Sequence, residues 1–218
     1  KRISVPLIFV LCLLLSLPVL AHAADSEIVI LYTNDAHAYM ANHVGEGKED
    51  ALIYSKIATL KEREDAILVD AGDHIQGTAY GGMDKGQTIV RLMNQVGYDL
   101  ATLGNHEFDY GMDGRINVTD HWAEYPYLSC NFYHETDGIP GDLVLDAYRI
   151  VEKNGKKIAF VGITPPETLT ATTPAYFQNE SGQYIYGIAG GEDGSALYAA
   201  VQSAVDAAAA EGADYIIA

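Results

Sequence analysis

The stretch Gly104-Asn105-His106-Glu107-Phe108-Asp109 carries three chemically useful side chains directly after an apolar run, residues 98–103, that is typical of a buried strand. Its first glycine lets the backbone turn sharply where the strand ends. Asn105 offers a carbonyl oxygen to a divalent metal, and His106 offers an imidazole that binds metal or handles protons near neutral pH. Asp109 lies near enough in sequence to hydrogen-bond that ring and fix its tautomer. Ligand sites of α/β sheets lie at the carboxyl ends of strands, so the stretch indicates a functional site. The alternative is a polar loop with a satisfied histidine.

Two earlier predicted strands end in similar polar segments. Residues 27–33 are rich in Ile and Val, and they lead to Asp35 and His37. Residues 66–69 form a second apolar run, which leads to Asp73. Three strand ends therefore supply polar side chains of the kinds that bind metals.

Helices are predicted between these strands. Residues 50–64 and 87–96 both place apolar side chains at helical spacing, and Gly97 ends the second segment. Glycines at 77, 81 and 82 indicate a flexible loop between the second strand and the second helix. The order strand, helix, strand, helix, strand predicts a layered α/β domain.

The second half of the chain is less regular. Residues 128–131 are consistent with a short strand, and residues 147–151 and 156–164 flank Asn154-Gly155, a strong hairpin pattern. Residues 165–194, rich in Pro, Thr, Gly and Tyr, are expected to form a long surface excursion. An alanine-rich helix follows over 195–210; we expect Ser195 to cap it and Gly212 to end it.

The residues after the three strands form a possible metal-binding set. Asp35 and His37 are two apart, so they point the same way on an extended segment and can hold one ion. The two carboxylate oxygens of Asp73 can bridge two ions, and Asn105 can bind the second. Mixed oxygen and imidazole ligands suit zinc, manganese or iron(II) better than calcium. Two such ions about 3.5–4 Å apart can hold a hydroxide and the oxygens of a displacement at phosphorus.

The order of these motifs resembles the signature of the calcineurin-like metallophosphoesterases, in which Asp-x-His is followed by Gly-Asp and then by Gly-Asn-His-Glu. More narrowly, TNDAH (33–37), GDHIQGT (72–78) and GNHEFDYG (104–111) resemble the secreted 5′-nucleotidase family. The similarity runs from about residue 27 to residue 218. It implies a four-layer α-β-β-α catalytic domain, incomplete here at its C-terminus, followed by a separate nucleotide-binding domain.

The resemblance also implies a role for each site residue. Asp35 and His37 would bind the first divalent metal, Asp73 would bridge the two, and Asn105 would bind the second. His106 would not be a ligand; together with Asp109 it would form a dyad that steadies the phosphoryl transition state or the leaving group. Further ligands, two histidines among them, would lie beyond residue 218.

Ala38 and His74 each directly follow a predicted metal ligand. Many members of the family have glycine after the metal-binding histidine, where this chain has Ala38; we expect a slight backbone adjustment and no loss of ligands. His74 follows the bridging aspartate, and we expect its side chain to point away from the metals.

The N-terminus is typical of an export signal. Lys1-Arg2 precedes an apolar stretch, residues 5–20, and Ala21-His22-Ala23 matches the small-x-small cleavage pattern. This predicts a signal peptide over 1–23, a mature catalytic segment over 24–218, and a secreted, periplasmic or cell-surface protein. The competing interpretation is an uncleaved membrane anchor, but the two prolines and the cleavage pattern favour a signal whose removal leaves no stable membrane insertion.

The composition limits the possible partners. The formal charge of −17 argues against a nucleic-acid polymer or an anionic membrane as the main partner. An anionic substrate would then have to be attracted by bound metal. Cys130 is the single cysteine outside the predicted signal, so no intrachain disulfide is expected.

Taken with the resemblance, these observations favour metal-dependent hydrolysis of a small-molecule substrate. The resemblance implies that 5′-nucleotides are cleaved to nucleosides and phosphate by a hydroxide activated at two metals. On the same scaffold, 2′,3′-cyclic nucleotides, UDP-sugars or a sulfur ester are alternative substrates. A secreted binding protein that kept the fold and lost catalysis is an alternative of another class, although all six expected site residues are retained. Segment 24–218 by itself is expected to lack appreciable nucleotidase activity, because the remaining ligands and the nucleotide-binding domain would lie outside it.

Overall fold

The structure is a computed structural model that describes residues 27–40 and 53–218. The predicted signal peptide and the first three residues of the predicted helix 50–64 lie outside these residues. Within the described part of the chain, no helix combines the length and apolar character needed to cross a bilayer.

The described residues form ten strands and six α-helices. The strands are β1 (Ile30–Thr33), β2 (Ile67–Asp70), β3 (Leu100–Thr102), β4 (Tyr127–Leu128), β5 (Phe132–Thr136), β6 (Ile139–Leu143), β7 (Tyr148–Lys153), β8 (Lys156–Val161), β9 (Tyr186–Ile188) and β10 (Tyr215–Ile217). The helices are α1 (Tyr54–Glu64), α2 (Ala79–Met83), α3 (Gln87–Val96), α4 (Gly111–Ile116), α5 (Thr168–Ala171) and α6 (Ser195–Ala210). Short 3₁₀ turns span His106–Phe108 and Pro174–Phe177, and a π-helical turn spans Asn117–Trp122.

The first sheet is parallel and has the order β1-β2-β3-β4. Thr33, the last residue of β1, lies opposite Asp70, the last residue of β2. The carboxyl ends of neighbouring parallel strands meet at one edge of a sheet. The segments that follow β1, β2 and β3 are therefore brought together, as the sequence predicted.

The side chains of β2 alternate between two cores. Leu68 joins a core that includes Ile57 of α1 and Met93 of α3, whereas Ile67 belongs to a separate core that includes Ile158 of β8. This alternation follows from the two-residue period of a strand. One face of the first sheet is thus covered by helices and the other face by a second sheet.

The second sheet has the order β10-β8-β7, and α6 covers its outer face. Ile158 and Phe160 of β8 pack toward the first sheet, while Val161 lies with Ala204 of α6 in a third core. The layers therefore run α1 and α3, first sheet, second sheet, α6, which confirms the predicted four-layer α-β-β-α arrangement. A third, smaller sheet has the antiparallel order β6-β5-β9.

The hairpin predicted around Asn154-Gly155 is confirmed. β7 and β8 pair antiparallel, with Lys153 opposite Lys156. Asn154 and Gly155 have φ values of 52° and 72°. Both lie in the left-handed region that a two-residue hairpin turn of this kind requires.

The prediction of a long surface excursion over 165–194 is wrong. This segment contains α5, a 3₁₀ turn and β9, which pairs with β5. Phe177 is fully buried, with its ring centroid 5.1 Å from that of Phe108. Proline, glycine and threonine dominate the segment, so its few buried side chains give no periodic pattern.

Two local predictions also differ from the structure. The N-cap of α6 is Gly194, and Ser195 is the first helical residue, whose N–H donates to Oδ1 of Asp193 at 3.0 Å. An aspartate two residues upstream thus takes the role that the sequence suggested for serine. Of the three glycines expected in a flexible loop, Gly81 and Gly82 lie within α2.

Candidate metal centre

Backbone hydrogen bonds join the loop after β1 to the loop after β2. The N–H of Asp35 donates to the carbonyl oxygen of Gly72 at 3.1 Å, and the N–H of His37 donates to that of Asp73 at 2.9 Å. A third bond of 2.8 Å runs from the N–H of Ala38 to the carbonyl oxygen of His74. The two loops therefore have a fixed register.

Several residues of these loops have left-handed backbone conformations. The expectation that Asp35 and His37 lie on an extended segment is therefore wrong, because the chain turns after Thr33 to pair with the loop after β2. The φ values are 53° at Asp35, 47° at His37, 58° at Ala38 and 59° at Asp73. Such conformations cost a non-glycine residue roughly 1–2 kcal/mol each, and strain of this kind concentrates at functional sites. Ala38, fully buried, occupies a position where the left-handed conformation favours the glycine that many family members carry.

Glycines allow the second and third loops to approach each other closely. A Cβ added to Gly104 would lie 2.2 Å from Oδ1 of Asp73, and one added to Gly72 would lie 2.5 Å from the backbone nitrogen of Gly104. Both distances are far shorter than van der Waals contact. The glycines before Asp73 and Asn105 are therefore required by packing as well as by the turn.

The two site histidines present defined tautomers. Nδ1 of His37 lies 3.0 Å from the carbonyl oxygen of Gln76, and Nδ1 of His106 lies 2.7 Å from Oδ2 of Asp109. Carbonyl and carboxylate oxygens accept hydrogen bonds, so in each neutral ring Nδ1 carries the proton and Nε2 has a free lone pair. The predicted contact between His106 and Asp109 is confirmed. Such partners of the distal nitrogen orient metal-binding histidines.

His37, Asp73 and His106 form a cluster in which one ligating atom of each lies within 4.8 Å of the others. All three side chains are half-buried, and the two imidazole centroids are 4.9 Å apart. Two nitrogens and a carboxylate fit zinc, manganese or iron(II), so the residues present suit a divalent metal.

The remaining predicted residues border this cluster. Oδ1 of Asp35 lies 3.6 Å from Nε2 of His37, on a side chain that is 57% exposed. Asn105 is half-buried and precedes the 3₁₀ turn, where its backbone carbonyl accepts a hydrogen bond from the N–H of Phe108. Their placement beside the cluster is compatible with the predicted set. The geometry equally allows His106, which the resemblance assigns to a dyad with Asp109, to contact a metal.

The environment shifts the pKa of two of these groups. Partial burial raises the pKa of Asp73, although the N–H of His106, 2.8 Å from its Oδ1, acts in the opposite direction. For His106, burial acts to lower the pKa, but the hydrogen bond to Asp109 and the carboxylate charges around the ring outweigh it, and the net shift is upward. Bound metal would favour the ionised Asp73, because a cation stabilises carboxylate.

Glu107 is a residue that the sequence analysis left without a role. It is fully buried, and its carboxylate accepts hydrogen bonds from the N–H groups of Asp73, His74 and Gly104, at 2.9, 3.0 and 2.7 Å. One side chain therefore fixes the loop after β2 and the loop after β3 together. In the sequence, the only sign of this bridging role is that Glu107, an acidic residue, directly precedes the apolar Phe108.

His74 points away from the cluster, as predicted. It is fully buried, with Nδ1 2.7 Å from Oδ1 of Asp70 and Nε2 2.6 Å from the hydroxyl of Tyr127. Burial acts to lower the pKa of this imidazole, but the neighbouring carboxylates of Glu107 and Asp70 outweigh it and raise the pKa to about 9.

Comparison with known proteins identifies the family of this chain. Residues 28–184 match the family model described as calcineurin-like phosphoesterase, and this range contains all three loops. The chain belongs to the calcineurin-like phosphoesterase family, whose members use divalent metals.

Among individual proteins, the chain is similar to 5′-nucleotidases. It is 32% identical to the 5′-nucleotidase of Diplobatis ommata, over 91% of this chain and 34% of that protein. It is 31% identical to the 5′-nucleotidase of Rattus norvegicus, over 72% of this chain and 30% of that protein. The chain thus spans about a third of the length of these curated relatives.

Solved structures agree in fold. The calcineurin-like phosphoesterase YfkN from Bacillus subtilis aligns with a TM-score of 0.63 at 28% identity, over 87% of this chain and 60% of that chain. A 5′-nucleotidase precursor from Thermus thermophilus aligns with a TM-score of 0.66 at 23% identity, over 87% of this chain and 36% of that chain. The second likeness supports the fold alone.

Proposed function

We propose that residues 24–218 are part of the catalytic domain of a metal-dependent hydrolase that cleaves 5′-nucleotides to nucleosides and phosphate. The observation that carries the proposal is that His37, Asp73 and His106 converge at the carboxyl edge of the first sheet, with one nitrogen or carboxylate oxygen of each within 4.8 Å of the others. The similarity to 5′-nucleotidases favours nucleotides as the substrate class.

The proposed metal ligands are Asp35 and His37 for a first ion, Asp73 for both ions, and Asn105 for a second. When bound, such ions polarise a phosphoryl oxygen and lower the pKa of a bound water. The residues of this chain hold the ligands in place: Asp35 and His37 are tied to the loop after β2 by backbone hydrogen bonds, and Gln76 keeps Nε2 of His37 available.

His106 and Asp109 are proposed to handle the proton of the leaving group. Oδ2 of Asp109 accepts the Nδ1–H of His106, with 2.7 Å between Nδ1 and Oδ2, so Nε2 of His106 is the atom left to face the substrate. The hydrogen bond to Asp109 favours the protonated ring, because a carboxylate partner stabilises its positive charge. The protonated ring can then donate from Nε2 to the ester oxygen as the bond to phosphorus breaks.

Export is part of the proposal. The predicted signal peptide 1–23 and the similarity to snake venom 5′-nucleotidases, at 34% identity for that of Gloydius brevicauda, support a secreted, periplasmic or cell-surface protein.

The test is phosphate release by the full-length protein that contains this chain. AMP, 2′,3′-cyclic AMP and UDP-glucose would be compared with zinc, with manganese and with EDTA. We expect metal-dependent release of phosphate from AMP, and its loss in Asp73→Asn. Faster hydrolysis of the cyclic nucleotide or of UDP-glucose would favour an alternative ester, and metal binding without hydrolysis of any substrate would favour the inactive binding protein.

A further inference from the structure

A buried polar cluster lies directly behind the metal loops. Asp70, His74, Glu107 and Tyr127 are each at most 4% exposed. We call these four residues the support cluster. They form a continuous series of contacts from the end of β2 to the beginning of β4.

His74 stands between the two carboxylates of the support cluster. Its Nδ1 is 2.7 Å from Oδ1 of Asp70 and 3.4 Å from Oε1 of Glu107. Its Nε2 is 2.6 Å from the hydroxyl of Tyr127. The imidazole is therefore held at both ends and faces both acids with the same nitrogen.

Each of the two carboxylates fixes part of the metal loops. Asp70 accepts hydrogen bonds from the hydroxyl of Thr33, at 2.5 Å, and from the N–H of Gly72, at 2.8 Å. Glu107 accepts the three loop N–H groups described above, including that of Asp73. All three strand ends are thus connected to one or the other of these acids.

Two buried carboxylates that both face Nδ1 of His74 need a donor between them. A buried charge without a partner is strongly destabilising, and two like charges in a low-dielectric interior repel. Nδ1–H of His74 supplies that donor. Without it, Glu107 would move away from Asp70 or take up water, and the N–H groups it holds would shift with it. The backbone of Asp73 is one of these, so the position of its carboxylate relative to His37 and His106 would change.

We propose that His74 is a positioning residue, which places the carboxylate of Asp73 for metal binding by holding Asp70 and Glu107 together. This role rests on the proposed metal site but does not depend on hydrolysis or on the substrate. The essential atom is Nδ1, because it faces both acids, whereas the contact of Nε2 with Tyr127 is auxiliary.

The experiment measures metal affinity of the full-length protein by calorimetry, together with the visible absorption spectrum of its Co²⁺ form. His74→Leu removes both hydrogen bonds in a side chain of similar size. His74→Asn restores a donor at the position of Nδ1, and His74→Gln places its amide at the position of Nε2. Tyr127→Phe removes the auxiliary contact, and Val161→Ala, which opens space in a separate core between β8 and α6, is the control for loss of stability alone.

We expect His74→Leu and His74→Gln to weaken Co²⁺ and Zn²⁺ binding by about 10–100-fold and to change the Co²⁺ spectrum, the usual size of effect for a residue that supports a ligand. His74→Asn should bind metal more tightly than His74→Gln, and Tyr127→Phe should stay within about threefold of the wild type. Val161→Ala should lower the urea midpoint and leave affinity unchanged. If His74→Leu does not fold, the test is the comparison of metal affinity between His74→Gln and His74→Asn.

Equal affinities for wild type, His74→Leu and His74→Gln, or failure of His74→Asn to exceed His74→Gln, would overturn the role of His74. A wild-type chain that binds neither Co²⁺ nor Zn²⁺ would overturn the metal site and this role together. Metal binding that depends on His74 as expected, in a full-length protein that cleaves no phosphate ester, would support the role of His74 and reject only the proposed function.

Discussion

Asp73 is fixed at its backbone and at its side chain alike. Its N–H donates to Glu107, its carbonyl oxygen accepts from His37, and Oδ1 accepts the N–H of His106. Its φ of 59° places the residue in the left-handed region, which residues other than glycine adopt at a cost in energy. Asp73 therefore contacts the other two loops directly, and substitutions that touch its surroundings should have effects beyond their own contacts.

Substitution of Gly104 by alanine should impair metal binding through Asp73. The new Cβ would lie 2.2 Å from Oδ1 of Asp73, so the carboxylate must move. We expect at least a tenfold loss of zinc affinity, measured by calorimetry, since a supporting contact contributes about 10–100-fold.

Gly82→Ala is the matched control, because a Cβ there meets nothing within 4 Å and the residue lies in α2. We expect unchanged affinity and a gain of about 0.4–1 kcal/mol in the free energy of unfolding. Equal zinc affinity for the two variants would contradict the role of Gly104.

The His106→Ala variant of the full-length protein should lose turnover and keep its metal. A positioned proton-handling side chain typically contributes about 10²–10⁴-fold to the rate. Metal content and phosphate release would be measured on the same sample. Asp109→Asn, which keeps the ring but removes the carboxylate that orients it, should give a smaller loss. If His106→Ala lacks a metal that the wild type holds, His106 is a ligand, as the cluster geometry permits.

The hairpin between β7 and β8 depends on its two left-handed residues. Gly155→Val should lower the free energy of unfolding by about 1–2 kcal/mol, because a side chain disfavours the left-handed conformation and a β-branched one does so most. Asn154→Gly should cost less, since glycine adopts this conformation freely. Urea denaturation measures both. We expect unchanged metal affinity in both variants, because the turn joins strands of the second sheet, and a loss of affinity in Gly155→Val would contradict this.

The helices and strands of the first half follow directly from periodicity. Residues 87–96 were predicted and found as a helix, because Ile89, Val90 and Met93 recur at helical spacing on a buried face. The three strands of the site were located to within a few residues, because each is a short apolar run followed by a polar segment.

The elements that the sequence did not predict depend on contacts between distant residues. β9 exists because it pairs with β5 some fifty residues earlier, and Phe177 is buried because Phe108 and Phe132 lie against it. The local composition around β9 and Phe177 does not indicate these distant partners. The contacts of Glu107 could not be predicted for the same reason. Its carboxylate accepts three N–H groups from loops that are adjacent in space, and the sequence motif that contains Glu107 does not specify these donors.

Metal binding should stabilise the whole molecule. A ligand that binds the native state alone contributes about 2.7 kcal/mol when its free concentration is one hundred times Kd. The site joins loops of three strands in the first sheet, so we expect zinc or manganese to raise the Tm of the chain and EDTA to reverse the increase. Asp73→Asn should show no increase. A wild-type Tm that is the same with metal and with EDTA would count against the site.

Glu107 has a consequence for hydrogen exchange. Amide protons in loops usually exchange with solvent quickly, because small local openings expose them. The amides of Asp73, His74 and Gly104 are bonded instead to a carboxylate that is itself inaccessible to solvent. Their exchange requires the two loops to separate. We therefore expect these three amide protons to persist in D₂O about as long as those of β2 and β3, and NMR spectra recorded over hours would detect it. Exchange as fast as at the Asn154-Gly155 turn would mean that the loops part readily.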